Sequence, residues 1–161
     1  MSSLDSIYQE LIIDHAKHPQ GRGLVEPFDG ESFQVNPVCG DQIRLRVRLA
    51  DGEPVLRGVT WDGQGCTISQ ASVSLLTELV DGLPLERVAE LEQVFNQLMH
   101  SRGHGLDQAL EDQLGDAIAL AGVSLYPMRV KCALLGWMAL REAIAKALVG
   151  DSSPAHIPEG I

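Results

Sequence analysis

Apolar residues at Leu4, Ile7, Tyr8, Leu11, Ile12 and Ala16 recur at three- and four-residue spacings, which predicts an amphipathic helix over 4–18, stopped by Pro19. His15 and His18 fall near its C-terminal end, where imidazoles are expected to cap the chain and complement the helix dipole rather than bind metal. Residues 19–33 lose all periodicity and gain Gly21, Gly23, Pro27 and Gly30, the signature of a long surface loop. Strict alternation follows, with Ile43, Leu45, Val47 and Leu49 on one face and Arg44, Arg46 and Arg48 on the other. That pattern predicts a half-buried strand whose arginine row is solvated, or meets an acidic partner surface. Asp51-Gly52 turns the chain into a second strand over 55–61, giving an antiparallel hairpin within a sheet of two or three strands.

The second half of the chain reads as helical. Asp62-Gly63-Gln64-Gly65 forms a tight turn, after which Cys66 opens a helix with Ile68, Ala71, Leu75, Leu76 and Leu79 on one face, ending at Gly82. Pro84 starts another through Val88, Leu91, Val94, Phe95 and Leu98. His100 and His104 have metal-pair spacing, but Gly103 between them favours a solvated loop. A short helix through Leu110, Leu114 and Ile118 breaks before Pro127, and a last helix runs over 127–149 with Gly150 as its stop. Val130, Ala133, Leu134, Trp137, Leu140 and Ile144 make this last helix the main core-packing element. The fold class is therefore α+β, a small antiparallel sheet in the N-terminal half packed against several helices, in one domain over 1–150. Residues 151–161 are expected to be a disordered tail.

Composition narrows the function. The 161 residues are 45% hydrophobic, enough for a core that does not depend on metal, and 22 acidic against 12 basic residues give a formal charge of −10. Such a charge repels phosphate backbones and anionic lipid, so nucleic acid and membrane are not expected partners. The N-terminus shows no basic, apolar signal pattern, and a cytoplasmic protein, monomeric by default, is expected.

Three cysteines are the whole thiol inventory: Cys39 in Cys39-Gly40-Asp41, Cys66 after Gly63-Gln64-Gly65, and Cys132 after Arg129-Val130-Lys131. An odd count without a secretory signal disfavours disulfides and leaves metal binding or thiol chemistry. Each cysteine alone would read as a small buried hydrophobe, but all three abut glycine, aspartate or basic residues at changes of pattern. Three thiolates and the Asp41 carboxylate suit Zn²⁺ or one corner of an iron–sulfur cluster. An extended chain at 39–41 would put Cys39 and Asp41 on one face. The helix start beside Cys66 and the cations Arg129 and Lys131 beside Cys132 are expected to favour thiolate. Four negative ligands around a +2 ion leave about −2, and Arg129 is the expected cation beside the site, with an exposed helix-surface arginine as the other reading.

On these residues the chain resembles the SufU family, a branch of the IscU-like iron–sulfur cluster assembly proteins. The matching stretches are Tyr8-x-x-x-Ile12-x-Asp14-His15-x-x-x-Pro19, Asn36-Pro37-x-Cys39-Gly40-Asp41, Gly63-x-Gly65-Cys66 with Ser69, and Gly122-Val123-Ser124 followed by Pro127-x-Arg129-x-Lys131-Cys132-Ala133 with Trp137. In the IscU branch a histidine precedes the last cysteine, where Lys131 stands here. The resemblance implies a SufE/IscU-like fold and Zn²⁺ on Cys39, Asp41, Cys66 and Cys132. It also implies that Cys39 receives persulfide sulfur from a SufS-type cysteine desulfurase whose pyridoxal phosphate belongs to the partner, so that the chain acts as a zinc-dependent sulfurtransferase feeding downstream iron–sulfur machinery. The alternative it leaves open is a scaffold that builds and passes on a labile [2Fe-2S] cluster, with iron in place of zinc. A zinc site that is only structural, on a partner-binding surface, stands as a third reading.

Overall fold

The computed structural model describes residues 3–155. In chain order these form α1 (Ser3–Lys17), β1 (Gly30–Asn36), β2 (Asp41–Leu49), β3 (Leu56–Gln64), α2 (Thr67–Val80), α3 (Leu85–Met99), α4 (Gln108–Asp112), a 3₁₀ helix (Gly115–Leu125) and α5 (Pro127–Leu148). The sheet is antiparallel in the order β1-β2-β3, and the α+β architecture is the one the pattern predicts. Among the described residues, no helix is long and apolar enough to cross a membrane.

α5 and α2 close over one face of the sheet. Ile43, Leu45 and Val47 of β2 and Trp61 of β3 are all at most 1% exposed, and Trp137 of α5 stacks on Phe95 of α3 with ring centroids 5.4 Å apart. Each such large side chain stabilises by about 1.5–3 kcal/mol on burial, which explains why the alternating and helical patterns are the parts of the sequence that hold their shape. Gly150 ends α5 with φ +77°, a left-handed position that a side chain would strain.

Strand β1 corrects the expectation of loop throughout 19–33. Its start lacks an alternating apolar pattern because Glu31 and Ser32 are both completely buried. Gly30 lets α5 cross directly on the strand, since a Cβ there would sit 2.1 Å from the Ala143 carbonyl oxygen. The arginine row is likewise not a free solvated face. Glu31 receives Arg44 Nη1 at 2.6 Å, Arg46 Nε and the Ala155 N–H at 2.8 Å, while Arg44 and Arg46 lie over the rings of Phe33 and Phe28. Arg48 alone of the three remains exposed. Burial pushes the Glu31 carboxyl up, but the bonds from Arg46, Ala155 and Arg44 outweigh it and hold it below the ordinary carboxylate range.

The same contacts bear on the chain end. Ala155 is 9% exposed and also offers its carbonyl to Arg44 at 3.3 Å, so the segment after α5 returns to the sheet. The rest of the expected tail, 156–161, lies outside the described residues. At the other end of the fold His15 does not cap α1 in solvent. It is 6% exposed and packs between helices, with Nδ1 2.7 Å from Ser74 Oγ on α2, whereas His18 stays exposed.

Candidate metal centre

The turn between β1 and β2 carries the first cysteine. Asn36 holds it through two bonds, its side-chain oxygen accepting the Val38 N–H at 3.2 Å and its carbonyl accepting the Gly40 N–H at 2.7 Å. Gly40 has φ +75°, so the chain reverses at 37–40 instead of running extended. Cys39 and Asp41 are therefore brought together by a turn, not by strand alternation. The turn leaves Cys39 exposed and delivers Asp41, only 1% exposed, as the first residue of β2.

Cys66 caps α2 at its N-terminus as expected, but no tight turn spans 62–65: β3 runs on to Gln64, and the helix end spends its donor on a neighbour. The Cys66 N–H goes to Asp41 Oδ1 at 3.0 Å, and Cys66 Sγ lies 3.8 Å from Asp41 Oδ2. Gly65 permits this approach, because a Cβ there would stand 2.6 Å from Asp41 Oδ1 and 2.5 Å from Ser69 Oγ. Ser69 donates to the Cys66 carbonyl at 3.0 Å and comes within 3.9 Å of its sulfur. Cys132, completely buried in the second turn of α5, lies 3.8 Å from Cys39 Sγ.

The ligand atoms of Cys39, Asp41 and Cys132 all lie within 4.8 Å of one another, and Cys66 adjoins the group through Asp41. Zn–S bonds of ~2.3 Å place tetrahedral sulfurs about 3.8 Å apart, the separation seen between Cys39 and Cys132. Three thiols and one carboxylate, drawn from three separate stretches of chain, thus fit a thiophilic tetrahedral ion by chemistry and by spacing.

Electrostatics correct the expectation that all three sulfurs sit in thiolate-favouring surroundings. Burial pushes the Cys132 thiol up, and Asp41 and Cys66 push it further. The sequence neighbours Arg129 and Lys131 are both exposed, and neither is among the groups that act on the sulfur. Among the described residues Arg129 makes no side-chain bond to the thiols or to Asp41; it lines an open cleft of about 950 Å³ beside Cys66, with Tyr8 and Ile12 of α1, Ile68, Val123 and Tyr126. Exposed Val38, Leu125, Tyr126 and Met128 add an apolar margin contributed by the same elements. Asn36 and Ser69 are supports to which the residue pattern alone assigned no role, and Gly65, expected as a turn residue, instead makes room for Asp41 and Ser69. The signals for them were the Asn-Pro pair before Cys39 and the glycine and serine flanking Cys66.

The family model for the NifU-like N-terminal domain matches residues 7–133. The chain is 38% identical over 153 residues to the zinc-dependent sulfurtransferase SufU of Bacillus subtilis, covering 93% of this chain and 97% of that one. It is 35% identical over 147 residues to the iron–sulfur cluster assembly scaffold protein IscU of Streptococcus pyogenes, covering 91% and 88%. A crystal structure of an iron–sulfur cluster assembly scaffold of the SUF system from Fervidobacterium islandicum superposes with a TM-score of 0.73 at 32% identity, covering 89% of this chain and 99% of that one.

Proposed function

The chain belongs to the NifU-like N-terminal domain family, and from that premise we propose that it is a zinc-dependent sulfur acceptor in iron–sulfur cluster assembly, taking persulfide sulfur from a SufS-type cysteine desulfurase. Cys39 is the acceptor, and Cys39, Asp41, Cys66 and Cys132 hold the ion. The observation that carries this reading is the graded exposure of the three sulfurs: Cys39 exposed on a turn, Cys66 half-buried, Cys132 buried. One sulfur can meet a partner while the others remain in the protein.

Bound Zn²⁺ supplies positive charge that keeps the sulfurs as thiolates in a cluster otherwise rich in negative groups. The remaining chemistry belongs to the chain. The Cys39 thiolate attacks the outer sulfur of the partner's cysteine persulfide, the partner's S–S bond breaks, and its cysteine leaves as thiolate. A persulfide with its proton then remains on Cys39, so the transfer is redox-neutral. Asp41, tied to the Cys66 N–H, is an oxygen ligand among sulfurs and the corner most easily given up. The exposed apolar residues Val38, Leu125, Tyr126 and Met128 supply a dry contact surface for the partner around the transfer. Arg129, on the cleft rim, is the cation available to the negative site once a partner covers it.

The test is sulfide release by a SufS-type desulfurase with and without this protein, combined with persulfide labelling. Wild-type protein should accelerate turnover and become labelled, and Cys39→Ala should do neither while folding normally. Undiminished labelling of Cys39→Ala removes that residue from the role. The scaffold reading, favoured by Asp41 as an oxygen ligand and by scaffold-named relatives, makes a separate demand. Anaerobic reconstitution must give a coloured [2Fe-2S] protein that passes its cluster to an apo-ferredoxin, and a colourless zinc protein with nothing to transfer ends that reading.

A further inference from the structure

A second group of metal-ligating side chains lies apart from the cysteines. His15 of α1, Glu78 of α2 and Asp116 of the 3₁₀ helix each present one ligand atom, all within 4.8 Å of one another. Cys66 caps α2 and Glu78 lies in its last turn, about 18 Å further along at ~1.5 Å per residue, so this group is distinct from the thiol centre. We propose that His15, Glu78 and Asp116 form a second, exchangeable divalent-metal site.

The buried imidazole makes this more than a patch of surface acids. His15 is 6% exposed and its ring is oriented by Ser74, whose Oγ lies 2.7 Å from Nδ1 and also accepts the Gln20 N–H at 2.7 Å. Ser74 accepts the Gln20 N–H and shares one hydrogen with Nδ1, which fixes the ring so that Nε2 points away from it. That is the outer support seen behind metal-binding histidines. Nε2 then faces Glu78 Oε2 at 3.6 Å, too long for a hydrogen bond. Two ligands at ~2.1 Å on a tetrahedral ion lie about 3.4 Å apart, so the observed gap matches ligands around a common ion better than a direct contact. Glu78 and Asp116 are exposed side chains that can close the remaining distance.

The donor set defines what binds. One neutral imidazole and two carboxylates bring −2 and cancel a divalent charge, where the thiol centre brings −4. One nitrogen and two oxygens form a harder set than three sulfurs, suited to a borderline ion of the Zn²⁺ or Fe²⁺ class. With two ligands in solvent, the coordination sphere retains positions for water and the ion can exchange. A metal here ties α1 to α2 and the 3₁₀ helix, and α1 supplies Tyr8 and Ile12 to the cleft beside Cys66.

The experiment starts from protein carrying one Zn²⁺ per chain and adds further Zn²⁺ against a chromophoric chelator, with the imidazole resonances followed by NMR. Wild-type protein should take up one additional ion, and the His15 ring signals should shift in step with that uptake. The double variant Glu78→Gln/Asp116→Asn, altered only at exposed positions, should keep the first ion and bind the additional one at least tenfold more weakly. An unchanged melting temperature with the first ion alone shows that the variant is folded. Absence of a second ion in wild-type protein, uptake without movement of the His15 signals, or undiminished uptake by the double variant overturns the proposal.

Discussion

The middle and the first residue of strand β2 handle charge in opposite ways. Near its middle, Arg44 and Arg46 converge on the fully buried Glu31, and the cluster is closed by the protein's own cations. At its first residue, Asp41 meets Cys66 and Cys132, and among the described residues no cation contacts it. A buried ion pair satisfied internally is structural, and losing either partner exposes the other's desolvation cost. A buried set of acids without an internal counter-charge remains protonated or takes an external cation. The contrast explains why the middle of the strand supports the fold and its first residue is available for chemistry.

The sharpest way to break this contrast is to remove one residue from each of the two clusters. Cys132→Ala should weaken zinc binding by more than the ~10–100-fold that loss of a mere outer partner costs, while the apo fold is preserved or gains stability. Competition with a zinc chelator and urea denaturation of the apo protein measure the two quantities. Glu31→Ala should do the reverse. It should lose about 3 kcal/mol in urea denaturation, the low end of ~3–5 kcal/mol for a broken buried pair, because Arg44 and Arg46 are 21% and 15% exposed and can partly rehydrate. Its zinc affinity should change little. A Glu31 variant as stable as wild type, or one that loses its metal, would collapse the distinction.

Acidification separates the same two regions by pH. Metal binding at the cysteine end requires thiols to lose protons, and the raised Cys132 thiol holds its proton most firmly, so affinity should fall about tenfold per pH unit for each proton displaced. Glu31 is shifted the other way, although acid weakens its contribution too. Its carboxyl is depressed in the fold, so its stabilisation is complete above the ordinary carboxylate range and is lost as pH falls through the depressed value. Zinc should therefore leave first, from a protein whose far-UV circular dichroism is unchanged, and the fold should weaken only at lower pH. Release and unfolding that coincide would mean that the metal centre holds the fold together.

Legibility followed burial. The helices and the β2–β3 hairpin could be read because apolar residues at periods of 3.6 and 2 are those that bury. Strand β1 was hidden because it buries two polar residues, Glu31, satisfied by partners from β2 and from beyond α5, and Ser32, which accepts from Gln34 of the same strand. The arginine row misled for the complementary reason: alternation marks which face a side chain takes, not whether another segment covers that face. At the candidate metal centre, residue type and resemblance singled out three cysteines and an aspartate, and the fold brings these four side chains together. Their surroundings were less legible. Lys131 is one residue from Cys132 but about 100° around the helix, so sequence adjacency misstated the charge near that sulfur. The loss of the Cys66 N–H to Asp41 is a tertiary fact that no local pattern encodes, whereas the Gly40 turn is local and was signalled by the Asn-Pro pair and the glycine around Cys39.

A milder change tests how finely the cysteine end is built. Gly65 has an ordinary backbone conformation, so a side chain there is excluded by space and not by strain; its Cβ would meet Asp41 and Ser69 at 2.6 and 2.5 Å. Gly65→Ala must push the carboxylate off the Cys66 N–H or displace the serine, and zinc affinity should fall by about tenfold, the low end of what outer supports contribute. The fold should remain, because the contacts lie at the edge of the core. Arg48→Gln, on the strand that joins the two regions but exposed and without an ion pair among the described residues, should change stability by no more than about 0.5 kcal/mol and leave zinc binding alone. If Arg48→Gln weakens zinc as much as Gly65→Ala does, then long-range charge governs the site and the close packing around Asp41 does not. Measuring both variants at two ionic strengths separates these causes, since the exposed Arg48 acts only through a screened field and the Gly65 contact is insensitive to salt.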